Sequence, residues 1–428
     1  MRLVNSFLGL LLLVASSVGA VSGEEPLQRI AAGGYHCMAI DGEGALWTWG
    51  WNYAGQLGDG TTKDSHVPIR IGEDKDWVAV SAGDHHSVAM KRDGSLWAWG
   101  YNHFGQLGIG SGEDSHSPME VEGGKDWIAF TAGDYHTIGL KRDGSVWTWG
   151  CNKRGQLGVG SAPAGRKPIR VGKEKWMVVP AELEETVRVV EDAHVPVRVG
   201  TDNDWSAVDA GGYYCVALKK DGSLWVWGDN RYGQMGQGTR NHELLPVRVG
   251  RDNDWASVCA GVHHVLATKQ DGAVWAWGLN EYQTIPVAVK VRDVRSPVPA
   301  ELSKDWCMMS GGWRHTLALK RDGSLWAWGL NNYGQLGNGD TRDVGFRVLK
   351  GDAHVGVYGE QFRNGSKAPV RVAGGEEWAE VCAQGHHSIG MKRDGSVWTW
   401  GLNWFGQLGI GSTENQAVPV RVVLGDDP

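Results

Sequence analysis

Asp84 and Asp134 are the two carboxylates whose placement best suits chemistry. They stand at the same point of two matching runs, Gly83-Asp84-His85-His86 and Gly133-Asp134-Tyr135-His136. Two carboxylates flanking one pocket could serve acid–base glycoside chemistry. The competing reading is a pair of solvated turn residues, since Asp suits turns. Six histidines recur at the last position of such runs: His36, His86, His136, His264, His315 and His387, with Tyr214 at the seventh. A histidine set invites a metal reading, but ligands must converge to about 2.0–2.2 Å. Residues spread evenly around an axis do not converge, so no metal and no cofactor is expected. A residue that recurs in every unit is read as structural, each His bonding backbone within its own unit.

The elements that carry these residues repeat. Trp-x-Trp-Gly occurs seven times, ending at Gly50, Gly100, Gly150, Gly228, Gly278, Gly329 and Gly401. Four of the six intervals are 50 or 51 residues, and such a period marks a repeat architecture. In the second unit, Trp77 to Ala82, His86 to Met90 and Leu96 to Trp99 read as strands. Asp93-Gly94 reads as a type I′ hairpin turn. A Gly-rich loop, Gln106-Leu107-Gly108-Ile109-Gly110, follows, and a short strand led by proline, as in Pro68 to Ile71, closes each unit. A four-stranded sheet cannot bury both faces alone, and all-β repeats of this length favour closure into a ring. The chain is therefore expected to be all-β, a seven-bladed β-propeller of four-stranded antiparallel blades. Of 24 tryptophans, 14 lie in Trp-x-Trp pairs and six open a unit after Asp or Glu; they are read as the packing between blades.

The recurring pattern A-G-x-x-H-x-x-x-x-K-x-D-G-x-[LV]-W-x-W-G-x-N-x-x-G-Q-L-G resembles the regulator of chromosome condensation repeat family over nearly all of residues 27–423. The resemblance implies the seven-bladed propeller. It does not imply one function, because the family includes a nuclear nucleotide-exchange factor, a plant ultraviolet-B photoreceptor and secreted bacterial β-lactamase inhibitors. Gly312-Trp313-Arg314-His315-Thr316 is similar to the photoreceptor's tryptophan motif, but it occurs once, with Val262 and Gly385 in the neighbouring units. Photoreception is not expected.

Residues 1–20 read as a secretory signal: Arg2, the apolar run Phe7 to Val14, then Val18-Gly19-Ala20. The protein is expected to be secreted or periplasmic, with no other stretch able to span a membrane. The net charge is −7, and loss of Arg2 with the leader would take it to −8. No basic tail accompanies it, which argues against nucleic-acid partners. The six cysteines are scattered without C-x-x-C; Cys37 and Cys215 share one unit position, Cys259 and Cys382 another. They are read as small buried residues, with a disulfide left open.

Two insertions, near 173–193 and 341–367, fall before a final Pro strand, and the fifth unit has Tyr282-Gln283-Thr284-Ile285-Pro286 in place of Gln-Leu-Gly. The chain starts on a Trp-type strand and ends on a Pro-type strand. The long Gly-rich loop favours assigning each Pro strand to the following blade, which would make the last strand a clasp completing the first.

Two rings vary between units. The first holds Gly34, Asp84, Asp134, Gly212, Val262, Trp313 and Gly385; the second holds Tyr35, His85, Tyr135, Tyr213, His263, Arg314 and His386. Both are expected to point out of one face near the axis. Tyr, Trp and Arg dominate interface energetics, so Tyr35, Asp84, His85, Asp134, Tyr135, Tyr213, His263, Trp313, Arg314 and His386 form the candidate partner site. Three readings follow: a monomeric, non-enzymatic scaffold binding a protein, a glycan-binding propeller, or an enzyme using Asp84 and Asp134.

Overall fold

The computed structural model describes residues 28–160, 191–281, 284–286, 293–340 and 365–425, together with the backbone of two short strands, Ile169–Val171 and Lys175–Met177. The leader, most of both insertions, and Tyr282 and Gln283 lie outside the described residues. Seven antiparallel four-stranded sheets form the seven blades of a β-propeller. In the second blade the strands are Trp77–Ala82, His86–Lys91, Leu96–Gly100 and Ser115–Glu120, paired in that order. The outer strand starts three residues before its proline, at Ser115 ahead of Pro118. The strands that end the insertions begin at Ala193 and Gly365, so the inserted segments stop before them.

The first strands, Ile30–Ala32 in blade one and its counterparts, surround the axis. Their side chains line a cavity of about 80 Å³ that includes Ser81, Thr131, Asp209, Cys259, Ser310 and Cys382. The core lies in the seams between blades. Met38, Ile40 and Leu46 of blade one pack with Trp77, Val80 and Trp99 of blade two in one buried cluster. Each fully buried tryptophan removes roughly 150–250 Å² from water, which explains why a sheet this small is stable only between neighbours.

The two tryptophans of each pair have different tasks. Trp99 is fully buried and donates its indole N–H to Gln56 O of the preceding blade at 2.9 Å. Trp97 is half-buried and, with Trp77, holds the Lys91 ammonium, 4.8 and 4.9 Å from the ring centres. Asp74 completes that site at 2.6 Å. Six lysines repeat this contact, and such contacts contribute about 0.5–1 kcal/mol where exposed. In the first blade Asp41 takes the lysine position and accepts Trp47 Nε1–H at 2.9 Å.

The hairpin is not type I′. Gly94 N–H bonds Lys91 O, Lys91 N–H bonds Ser95 O, and Gly94 sits at φ +81. That is a three-residue loop, a type I turn followed by a left-handed glycine. Asp93 favours it by accepting Ser95 N–H and Ser95 Oγ–H.

The clasp is also overturned. Every outer strand pairs with the third strand of its own unit, and Gln416–Val422 pairs with Val397–Gly401 in blade seven. The Gly-rich loop does reach the next blade, but it returns. Gly60 N–H bonds His116 O, and the glycine at 58 clears the ring of Trp99, which an added Cβ would approach to 2.7 Å. The same staple closes the ring: Gly411 N–H bonds His66 O, and Trp49 Nε1–H bonds Gln407 O at 3.0 Å. Arg29 adds an ion pair to Glu380 at 3.3 Å. In the fifth blade Thr284 and Ile285 stand in for Gln and Leu, since Thr284 O accepts Trp328 Nε1–H and Ile285 N–H bonds Asn280 Oδ1.

Candidate functional site

The uniform histidine ring is structural, but it does not bond backbone within its own blade. Each histidine reaches the side chain one position after the next member of the ring. His36 Nε2 meets Ser87 Oγ at 2.9 Å, and His86 Nε2 meets Thr137 Oγ1 at 3.1 Å. Ser87 and Thr137 donate onward to Gln56 O and Gln106 O, so these hydroxyls accept from an Nε2–H. The six histidines are buried, and burial lowers His36, His86, His136, His264 and His315 to about 3 and His387 to about 4. They are neutral. Cysteine fills the same acceptor position twice, with His136 on Cys215 Sγ and His387 on Cys37 Sγ at 3.2 Å. Cys382 plays another seam role, accepting Ala32 N–H as Ser81 accepts Ala132 N–H. All six cysteines are free thiols, and the unit position shared by Cys37 and Cys215 reflects this seam role. Among the described residues no group of three His, Cys, Asp or Glu side chains could hold a metal ion.

The first variable ring does not point out as a whole. Asp84, Asp134 and Val262 are buried, with Asp84 at 9 % and Asp134 at 7 % exposure. The glycines of the ring make room for them. A Cβ at Gly34 would sit 2.8 Å from Asp84 Oδ1, and one at Gly212 would sit 2.8 Å from Asp134 Oδ2. Trp313 of blade six packs on Tyr35 of blade one at 5.8 Å and turns its indole towards Asp84 of blade two, so it crosses the axis. The ring is thus a plug of unequal side chains fitted to one another. The solvated-aspartate reading is overturned.

Burial first, and the Asp134 charge second, push the Asp84 carboxyl well above the usual range. Trp313 opposes this, although its Nε1 and Asp84 Oδ1 do not form a hydrogen bond of normal geometry. Burial pushes Asp134 up to about 7. Asp84 Oδ1 and Asp134 Oδ1 are both buried without a hydrogen-bond partner.

The second ring is half-buried and does form a face. Tyr35 stacks edge-on to Trp51, Phe405 and Trp313 at 5.3–5.8 Å. Trp51 lies nearly parallel to Phe405 at 5.1 Å, with Tyr53 at 4.4 Å on its other contact. His85 joins Trp51, Tyr53, Tyr101 and Tyr135, and Tyr135 continues to Tyr213 at 5.9 Å. In the other direction Trp313 meets His386 at 5.1 Å, then Tyr333 and Trp404. The result is one connected aromatic arc from Trp404 to Tyr213. His263 stands apart from it with Tyr232 at 4.8 Å, beside the buried Asp229 that holds Arg231 at 2.9 Å. Arg314 lies near Tyr35, His263 and His386 by its charge.

Sequence reasoning found the inner half of this arc and missed the outer half. Trp51, Tyr53, Tyr101, His103, Phe104, Tyr333, Trp404 and Phe405 come from the Gly-x-Asn-x-x-Gly stretch after each Trp-x-Trp. The signal was there: aromatics vary at positions flanking an otherwise constant asparagine. That asparagine is structural, since Asn102 Oδ1 accepts Leu107 N–H and its amide caps Ser111 O and Glu113 O. Tyr53 and Trp404 are exposed large aromatics of the group, at 43 % and 41 %.

Comparison with known proteins fits this architecture. The RCC1-like domain profile matches residues 11–353, and the regulator of chromosome condensation (RCC1) repeat matches 322–391 and 394–427. The chain is 28% identical to the ultraviolet-B receptor UVR8 of Arabidopsis thaliana over 239 residues, 55% of this chain and 39% of that receptor. The match thus spans about two fifths of the relative's length. Human WBSCR16 superposes with a TM-score of 0.69 at 21% identity, covering 89% of this chain and 94% of that one. Prp20p of Saccharomyces cerevisiae gives 0.70 at 19%, covering 91% and 88%.

Proposed function

Because the chain belongs to the RCC1-like domain family, we propose that it is a non-enzymatic scaffold that binds a protein through its axial aromatic face. The observation that carries this is the connected arc from Trp404 to Tyr213, built from positions that vary on a scaffold otherwise uniform. Exposed clusters of this kind mark interaction sites, and Tyr, Trp and Arg contribute most at protein interfaces. Prp20p, which shares the fold, binds Gsp1p and histones and has been seen bound to Kap60. Its partners are not carried over, since at this identity the likeness concerns the fold. With the leader at residues 1–20 removed, the protein acts outside the cytoplasm, and an exported enzyme is a partner of the right location.

The near-parallel Trp51 and Phe405 and the open Tyr53 and Trp404 favour a second reading, a sugar-stacking platform. The catalytic reading of Asp84 and Asp134 is weaker, because both pack into the plug against glycine backbone.

The test is capture of exported proteins and of cell-wall polysaccharide on the purified chain, wild type beside Tyr53→Ala/Trp404→Ala. Loss of a saturable protein partner in the variant supports the reading. Undiminished capture by the variant overturns the site, and retention of polysaccharide alone moves the weight to glycan binding.

A further inference from the structure

The plug at the centre of the aromatic face contains two buried acidic side chains, Asp84 and Asp134. Among the described residues neither Asp84 nor Asp134 forms a salt bridge, whereas the buried Asp229 pairs with Arg231 and Glu380 with Arg29, and the buried Asp209 accepts Ala210 N–H and Ala260 N–H. A buried carboxylate without a partner is costly, and proteins keep such groups where something else satisfies them. Here one oxygen of each, Oδ1, has no hydrogen-bond partner. Neither residue lines the axial cavity below, and the exposure left to them is 9 % for Asp84 and 7 % for Asp134.

The walls around them are aromatic. Burial first raises the Tyr35, Tyr135 and Tyr213 hydroxyls, with Asp84 a lesser cause at each, and the Trp313 indole faces Asp84 from the far side of the axis. Acid at the base and aromatic faces at the sides is the arrangement that holds an ammonium or a guanidinium: charge pairs with the carboxylates and the ring quadrupoles attract the cation. The chain supplies comparable cation sites elsewhere, with Lys91 between Trp77 and Trp97 beside Asp74, and fills them from its own sequence.

We infer that the Asp84–Asp134 pair, walled by Tyr35, Tyr135, Tyr213 and Trp313, is the anchor subsite of the face, and that it takes the cationic side chain of one lysine or arginine from the protein partner. This rests on the protein-binding reading of the same face.

The test uses the full chain and small probes: blocked Gly-Arg-Gly and Gly-Lys-Gly tripeptides, the same peptide with citrulline, and calcium chloride, followed by ligand-detected NMR. The expected result is that a cationic probe binds at least tenfold more tightly than the citrulline peptide. Asp84→Asn/Asp134→Asn should bring it down to the citrulline level. Equal binding of arginine and citrulline peptides, or a preference that survives the double substitution, overturns the inference. An aspartate-dependent response to calcium but not to the peptides would make this a metal site and overturn it as well. If the double variant still captures a partner that Tyr53→Ala/Trp404→Ala loses, the face binds proteins and only the anchor is wrong.

Discussion

Tyr214 and Val265 meet at one seam of the propeller, and each replaces the residue type found at the other seams. Elsewhere a histidine faces a Ser, Thr or Cys of the next blade; here the phenol passes the valine and donates to the backbone at Gly261 O and His264 O, both at 2.7 Å. At this seam the longer donor is thus matched to backbone acceptors and the valine is not asked to accept.

Tyr214→His should therefore leave an imidazole N–H buried against Val265 without an acceptor. We expect a loss of about 1–3 kcal/mol. Adding Val265→Thr should recover most of it. Urea denaturation of the two single variants and the double variant measures the coupling, and additive losses would contradict the seam pairing.

Stability should fall steeply in mild acid. The six buried histidines titrate at about 3 to 4 in the folded chain and near 6.5 once unfolded, so below about pH 6.5 the unfolded state binds more protons. Each contributes a loss on the order of 1.4 kcal/mol per pH unit. The raised carboxyls of Asp64, Asp84, Asp134, Asp192 and Glu380 act in the opposite direction, while His263 and His386, also lowered by burial, add to the loss. Denaturation midpoints between pH 7 and pH 5 that do not fall would refute the neutral ring.

Asp134→Asn should stabilise the chain at pH 8. Its carboxyl titrates at about 7 when folded against 3.8 as a free side chain, so stability is lost as pH rises from about 4 to about 7 and the loss is complete above that. Removing that charge should gain roughly 1–3 kcal/mol at pH 8 and little at pH 4. Thermal melting at the two pH values checks it; a gain independent of pH would assign the effect to packing.

Gly108→Ala should be among the costliest small substitutions. Its φ is +69, and the new Cβ would lie 2.7 Å from Trp149 Nε1. Both strain and overlap oppose it, at about 2–4 kcal/mol together. Gly72→Ala, at φ +64 with open space around its Cβ position, isolates the backbone part. Equal losses at the two sites would show that the tryptophan moves freely.

Several features were legible in the chain itself. The Trp-x-Trp-Gly period specified seven blades, and the alternation within each unit specified strands, because local patterning and a fixed repeat need no long-range information. The inner members of the arc, Tyr35, His85, Tyr135, Tyr213, Trp313 and His386, were visible as variation on a constant frame. Which blade owns each outer strand was not, because the Gly-rich loop bonds the next blade through backbone groups common to every residue. Nor was the plug. Asp84 and Asp134 have the composition of turn residues, and only the glycines at 34 and 212, brought alongside by ring closure, turn them inward and remove them from water. Burial, and with it the protonation of that pair, depends on which side chains the closed ring sets opposite one another.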